Sequence, residues 1–530
     1  MSAHLPDLLR RAATQSPDRL ALVDVAGRRM TWAELDAEVD AVAHGLNARG
    51  LVAGYRVVVA LGNRLEFVTT YLGILRARLV AVPVNPRSAT GELVRMIADS
   101  GARLVVADAV TAVGVRQAVA GLEDALIGAD DELRGRTVIP RVVVVDAPAL
   151  AGEMAYADLL TTPEVHLPMA GDADALAVLL YTSGTSGRPR AAMLTHRALM
   201  ANVEQAATVE PPMIHGDDVV LGVLPLFHVY GLNAVLGQVL NQGCRLVVVD
   251  GFDVEESLAI IEDEAVSVVP VAPPVFTAWL QVPDLPDRLS AVRLVLSGSA
   301  PLAPEVVAAF SERTGIPVHQ GYGLTEAAPV VTSTLRSGAP KPGSVGAALP
   351  GIEIRLVDDA GQPPDGADPG EILVRGANLF RGYWPDGSDG PDAEGWYPTG
   401  DVGFLDADGD LFLVDRLKEL VIVSGFNVYP VEVEEVITEL DDVAEVAVIG
   451  AEDPTTGEAV VAYVRPVAGS TRSREDLVAL VLEHCATRLA RFKQPRTVIV
   501  VEELPHTVTG KVAKGRLRAA QRRQDLGLLG

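Results

Sequence analysis

Six short β-branched runs recur along the first three hundred residues: VVVAL (57–61), LVVAD (104–108), VVVVD (142–146), LVVVD (246–250), VSVVP (266–270) and RLVLSG (293–298). Helix-length segments lie between them, a rhythm that predicts parallel, doubly wound sheets. From about Pro342 the rhythm changes, and GIEIRLVDDAGQPPDGADPGEILVRG sets strands close together between Gly, Asp and Pro turns, as in a small antiparallel, barrel-like unit. After VDRLKEL (414–420), the segments VEVEEVITEL, VAEVAVIGA, EAVVAYVRP and REDLVALVLEHCATRL read as a compact βα unit. A chain of 530 residues also exceeds the size at which one core stops growing. The expected class is therefore α/β, with a large N-terminal domain over 1–415 holding two doubly wound sheets and the barrel-like unit. A hinge at 416–420 leads to a smaller α+β C-terminal domain over 421–530.

The formal net charge of −26 excludes a general nucleic-acid binder, because a broad negative field repels phosphate backbones. An anionic substrate must then meet a local exception to that field. Two cysteines, Cys244 and Cys485, are too few for a disulfide framework or a zinc site, which suits a reducing cytoplasm. The opening MSAHLPDLLRRAATQSPDRLALVD has no signal-peptide apolar stretch, and no run approaches the roughly 20 apolar residues of a membrane span. A soluble, cytoplasmic protein is expected, with peripheral membrane contact left open.

The local exception is sought in YTSGTSGRPRAAMLTH (181–196). ALAVLLY before it reads as a strand and HRALMANVEQAAT after it as a helix, so the loop is expected at a strand-to-helix turn that aims donors at an anion. Gly184 and Gly187 allow close backbone approach, while Thr182, Ser183, Thr185 and Ser186 offer hydroxyls to a phosphate. The Walker A pattern is absent, since no GK[ST] follows at the required spacing. A plain surface turn is the alternative reading.

The loop resembles the phosphate-loop signature of the adenylate-forming superfamily of acyl-CoA synthetases, nonribosomal adenylation domains and luciferases. LPLFHVYG (224–231), SGSAPL (297–302), GYGLTEAAP (321–329), WYPTGDVG (396–403), VDRLKELVIVSGFNVYPVEVEE (414–435) and LPHTVTGKVAKGRLR (504–518) follow in that family's order over nearly the whole chain. Among its members the resemblance is greatest to fatty acyl-CoA ligases. It implies attack of a carboxylate on the α-phosphorus of ATP, release of pyrophosphate, and displacement of AMP from the acyl-adenylate by a thiol. It also implies roles. Glu326, with Thr182, would ligate Mg²⁺; Thr325 would contact the α-phosphate; Tyr322 would lie against the adenine, Gly298, Ser299 and Ala300 would skirt it, and Gly321 and Gly323 would belong to the same nucleotide site. Asp401 and Arg416 would hold the ribose, and Lys511 would be the adenylation lysine. Arg190 stands where the family usually has lysine, keeping the charge but changing the reach, so it bears on ATP affinity more than on reaction type.

The resemblance further implies an acyl tunnel walled by His228, Val229, Tyr230, Gly231, Val271 and Pro273, with His228 as its gate. No charged residue stands out in these segments, which favours an aliphatic or simple aryl acid over an amino acid. Rotation about Lys418 would bring Ser424 and Gly425 to a coenzyme A pantetheine arm. The basic C-terminal residues Lys493, Arg496, Lys514, Arg516, Arg518, Arg522 and Arg523 would meet CoA phosphates or a carrier protein, or form only a solvated face. The expectation is an AMP-forming fatty acyl-CoA synthetase using ATP, Mg²⁺ and coenzyme A. A fatty acyl-AMP ligase loading an acyl carrier protein, an aryl-acid ligase and a non-catalytic acyl or nucleotide sensor stay open.

Overall fold

The computed structural model describes residues 4–127, 129–161, 171–182, 190–300, 302–338, 341–358, 360–364, 368–416, 419, 421–423, 426–453, 456–470, 472–489, 491–507 and 511–525. They fall into two compact units. The first takes in the described residues up to 182, 190–353 and 375–397, and the second those of 354–374 and from 398 onward.

The first unit is built on two seven-stranded sheets. One runs in the order Met154–Ala155, Arg141–Val145, Leu104–Asp108, Arg56–Ala60, Val80–Pro83, Leu176–Thr182, Arg190–Thr195. All its neighbours are parallel except the last pair. The other runs Val318–Gln320, Leu294–Ser297, Val268–Val271, Val219–Gly222, Arg245–Val248, Leu20–Asp24, Arg29–Thr31, again parallel except at its final pair. The predicted β-branched runs are the central strands of both, buried on each face as crossover topology demands. Helices such as Leu65–Arg76 and Pro304–Thr314 return the chain between parallel strands. Trp279, Phe276 and Phe310 fill the core beside the second sheet, the two phenylalanines meeting edge to face at 5.2 Å.

Strand order reverses at Arg56–Ala60 in one sheet and at Val219–Gly222 in the other, the places where open α/β sheets leave a crevice past their strand ends. Asn63 spans the two. Its amide nitrogen donates to the carbonyls of Gly222 (3.1 Å), Leu224 (2.9 Å) and Val249 (3.0 Å), and its oxygen accepts the Leu226 N–H at 2.8 Å. A side chain four bonds deep in backbone groups thus sets the start of the LPLFHVYG segment.

In the second unit, residues 401–405 pair antiparallel with Leu411–Arg416, continuing the close-set strands expected after Pro342. A further sheet of Phe426–Val428, Val421–Val423, Gly457–Pro466 and Val443–Asp453, with Thr497–Val500 on Gly457–Pro466, is covered by helices Pro430–Thr438 and Arg474–Arg488. The chain is thus mixed α/β, with two doubly wound sheets and a separate α+β C-terminal part. No helix among the described residues is long and apolar enough to cross a membrane.

One expectation is corrected. The Gly/Ser/Thr loop does not lead directly into a helix: Thr182 pairs with Arg190, and RAAMLT runs as a strand antiparallel to Leu176–Thr182. The helix His196–Ala207 begins only after it, capped where Ala198 N–H donates to the Thr195 hydroxyl at 3.1 Å. Alanine and methionine carry little strand preference, but the edge of the sheet buries Ala191–Thr195, and that burial overrides local propensity.

Candidate active site

GYGLTEAAP is a tight fold-back. Leu324 N–H donates to the Pro329 carbonyl at 3.0 Å and Val331 N–H to the Tyr322 carbonyl at 2.9 Å, so the two arms pass very close. A Cβ on Gly323 would lie 2.4 Å from the Pro329 oxygen and one on Gly321 2.6 Å from the Thr332 oxygen, which is why the motif needs glycine there. Thr325–Ala327 forms a single 3₁₀ turn at the tip, closed by Ala328 at φ 60°.

Three asparagines clamp that tip. Asn202 donates to Val330 O (2.7 Å) and accepts from Val330 N (3.1 Å); Asn233 donates to Ala328 O (2.7 Å); Asn378 donates to Ala327 O (2.6 Å). All three are buried. Sequence reasoning missed them, although Asn202 in ALMANV and Asn233 in GLNAVL are polar residues inside apolar runs, a pattern that asks for a specific partner.

Glu326 is buried at the tip. Its backbone carbonyl accepts Phe380 N–H at 2.8 Å, and its Oε1 accepts the Tyr383 hydroxyl at 2.5 Å. Phe380 meets the Tyr383 and Tyr397 rings edge to face at 5.1 and 5.0 Å. Burial, reinforced by the Glu326 charge, holds both phenols well above the ordinary tyrosine range, so they stay protonated donors. Oε2 of Glu326 carries no hydrogen bond among the described residues, leaving one hard oxygen of a buried carboxylate available to a cation. No cluster of three metal-binding side chains occurs among the described residues. A single carboxylate fits Mg²⁺, which keeps waters and takes phosphate oxygens for the rest of its shell.

Gly298, Ser299 and Ala300 leave the Leu294–Ser297 strand, Ser299 at φ 74°. Gly298 N–H donates to the Val271 carbonyl at 3.3 Å, and a Cβ on Gly298 would lie 2.7 Å from Cε1 of Tyr230. Tyr230 opens a π-helical turn, Tyr230–Val235, whose Gly231 lies where a Cβ would meet the Pro225 oxygen at 2.4 Å. Val229 is buried beside it, and Tyr230 N–H donates to Nδ1 of half-buried His228 at 3.3 Å. Pro273 starts the Pro273–Trp279 helix after the buried Val271. The proposed purine segment and the proposed tunnel segment therefore adjoin at Gly298, Tyr230 and Val271.

The Thr182 hydroxyl donates to the Arg190 carbonyl at 3.4 Å. Arg190 lies 3.8 Å over the Tyr383 ring and reaches Asp389 at 2.6 Å. Ser183, Gly184, Thr185, Ser186 and Gly187, with Lys418, Ser424 and Gly425, lie outside the described residues. In the second unit, buried Asp401 stands opposite Arg416 in strand register, its N–H donating to the Thr399 hydroxyl at 3.1 Å. Exposed Lys511 is held at its backbone, its N–H donating to the Thr507 hydroxyl (3.1 Å) and its carbonyl accepting Thr507 N–H (2.7 Å). Part of the basic C-terminal set is in ion pairs: Lys493 with Glu432 at 2.6 Å, Arg496 with Asp453, and Lys514 with Glu434 at 2.9 Å.

Residues 9–384 match the family model for an AMP-binding enzyme, and residues 432–511 match the model for that enzyme's C-terminal domain. The chain belongs to the AMP-binding enzyme family. A 4-coumarate–CoA ligase-like protein of Oryza sativa subsp. japonica is 35% identical to it over 97% of this chain and 92% of the relative. A long-chain-fatty-acid–CoA ligase of Bacillus subtilis (strain 168) is 31% identical over 97% and 94%. The solved structure of ATP-bound MatB from Rhodopseudomonas palustris superposes at a TM-score of 0.86 with 33% identity, over 99% of this AMP-binding enzyme and all of that chain.

Proposed function

We propose that this chain is an AMP-forming acid–CoA ligase whose substrate is a fatty acid. The observation that carries the reading is the buried Glu326 carboxylate, with one oxygen held by Tyr383 and the other available to a cation. Mg²⁺ bound there would screen the crowded phosphate charge. In the first step a substrate carboxylate oxygen forms a bond to the α-phosphorus as the bond to pyrophosphate breaks. Lys511 reaches the α-phosphate and the carboxylate, and Asp401 accepts hydrogen bonds from the ribose hydroxyls. In the second step the CoA sulfur bonds to the acyl carbon, AMP departs with its bonding electrons, and the thiol proton passes to solvent. Lys418 would be the pivot that exchanges Lys511 for Ser424 and Gly425 between the steps. The Gly298–Tyr230–Val271 junction would put the acid's carboxyl end beside the nucleotide and its tail along an apolar wall.

An aryl acid is the second reading. The Tyr230 ring against Gly298 offers a flat wall, and a 4-coumarate–CoA ligase-like relative is 35% identical. The test is pyrophosphate release with ATP and Mg²⁺ across saturated C2 to C18 acids, benzoate and 4-coumarate, with and without CoA, products identified by mass. Acyl-CoA from one chain length supports the fatty-acid reading, and a preference for a ring acid replaces it with the second. Acyl-adenylate that persists despite CoA overturns CoA as acceptor, and no pyrophosphate from any acid overturns the ligase. Lys511→Ala should cut acyl-adenylate formation at least about a hundredfold, in the range lost when one transition-state donor is removed.

A further inference from the structure

We propose that Tyr383 is a positioning residue for Glu326, and that Arg190 and Asp389 hold Tyr383 in place. This rests on the reading of Glu326 as the metal-binding carboxylate. A lone carboxylate that must share a cation with phosphate oxygens needs a fixed plane, because rotation about its last bond would exchange the oxygen facing the metal. The Tyr383 hydroxyl donating to Oε1 at 2.5 Å fixes that plane and leaves Oε2 for the cation.

Tyr383 is itself locked from three sides. Its segment adds onto the free edge of the Arg190–Thr195 strand: Met193 N–H donates to the Gly382 carbonyl (3.0 Å), Arg381 N–H to the Met193 carbonyl (2.9 Å) and Trp384 N–H to the Ala191 carbonyl (2.9 Å). Phe380 packs edge to face on the ring at 5.1 Å and is itself backed by the Tyr397 ring at 5.0 Å. Arg190 covers the remaining face at 3.8 Å from the centroid, anchored by Asp389 at 2.6 Å. A guanidinium is planar and lies flat on a ring while its edge holds a carboxylate, whereas an ammonium is a point charge without that fork. Arginine at 190 thus serves a ring that leads to Glu326, and its guanidinium is committed to protein partners rather than to phosphate alone.

The experiment measures Mn²⁺ affinity, by electron paramagnetic resonance, of the full-length protein saturated with α,β-methylene-ATP, which cannot release pyrophosphate. Affinity for the analogue without metal and the melting temperature are followed in parallel. Tyr383→Phe keeps the ring and its stacking, and is expected to weaken Mn²⁺ binding about tenfold while metal-free analogue affinity and melting stay at wild type. Arg190→Gln keeps the hydroxyl but removes its support, and is expected to weaken Mn²⁺ about threefold. Glu326→Gln is the control. If Glu326→Gln leaves Mn²⁺ affinity intact, the underlying assignment of Glu326 fails. If Glu326→Gln abolishes it while Tyr383→Phe does not change it, the positioning role fails with the assignment standing. If Arg190→Gln changes only metal-free analogue affinity, Arg190 acts directly on phosphate and its part in the proposal is overturned.

Discussion

Replacing Asn63 with alanine should loosen the segment that begins the acyl wall without touching any residue of the proposed chemistry. The side chain is buried and satisfies three carbonyls, of Gly222, Leu224 and Val249, and the N–H of Leu226. Its amide has two hydrogens for three acceptors, so one is shared, and the net loss is three to four hydrogen bonds. At about 1 kcal/mol each this amounts to about 3 kcal/mol, with water able to refill part of the gap. If the loss falls on local opening, exchange of the Leu226 amide accelerates about a hundredfold. Peptide-resolved hydrogen exchange reads this directly, and the Michaelis constant for the acid should rise more than that for ATP. Asn63→Asp is the sharper variant. It keeps an acceptor for Leu226 but turns an acidic oxygen toward three carbonyls, so its loss should be no smaller. Leu226 exchange within about threefold of wild type in both variants would refute the argument, since opening would then be governed by other contacts.

Three further outcomes are expected. Burial, with His4 beside it at 4.1 Å, holds the His196 imidazole down at about 3. The unfolded chain, with an ordinary value of about 6.5, therefore binds more protons in between, so this contribution is complete above about pH 6.5 and is lost as pH falls toward 3. His196→Phe should flatten the acid limb of the melting-temperature profile by an amount worth at most roughly 5 kcal/mol, and an unchanged limb would refute the assignment. Gly298→Ala should shift acid preference, because its Cβ would stand 2.7 Å from the Tyr230 ring; an unaltered substrate panel would show that this junction does not shape the pocket. Cys244 and Cys485 are both fully buried, and burial raises their thiols to about 12 and about 11, so a chromogenic disulfide reagent at pH 8 should find no fast-reacting thiol in the native protein and two after denaturation.

Much of the architecture is local in origin and was legible. Runs such as VVVAL and LVVAD are strands because β-branched chains fit a sheet buried on both faces, and their spacing leaves room only for crossovers. The glycines of GYGLTEAAP announce a close approach before any partner is known. RAAMLT misled because its own residues favour no strand; only the neighbouring strand Leu176–Thr182 makes it one. The partners of the candidate site are of the same kind. Asn202 lies 128 residues from Val330, and Tyr383 lies 57 residues from Glu326. The sequence by itself determined the α/β order, the glycine-dependent turns and the family's ordered motifs, since each depends on residues close in the chain. Only the tertiary structure decided which buried polar groups meet, that Arg190 lies on an aromatic ring, and that Asn63 ties two sheets at their reversal points. A buried hydrogen bond needs a partner, but nothing in a local stretch of sequence says from how far along the chain it will come.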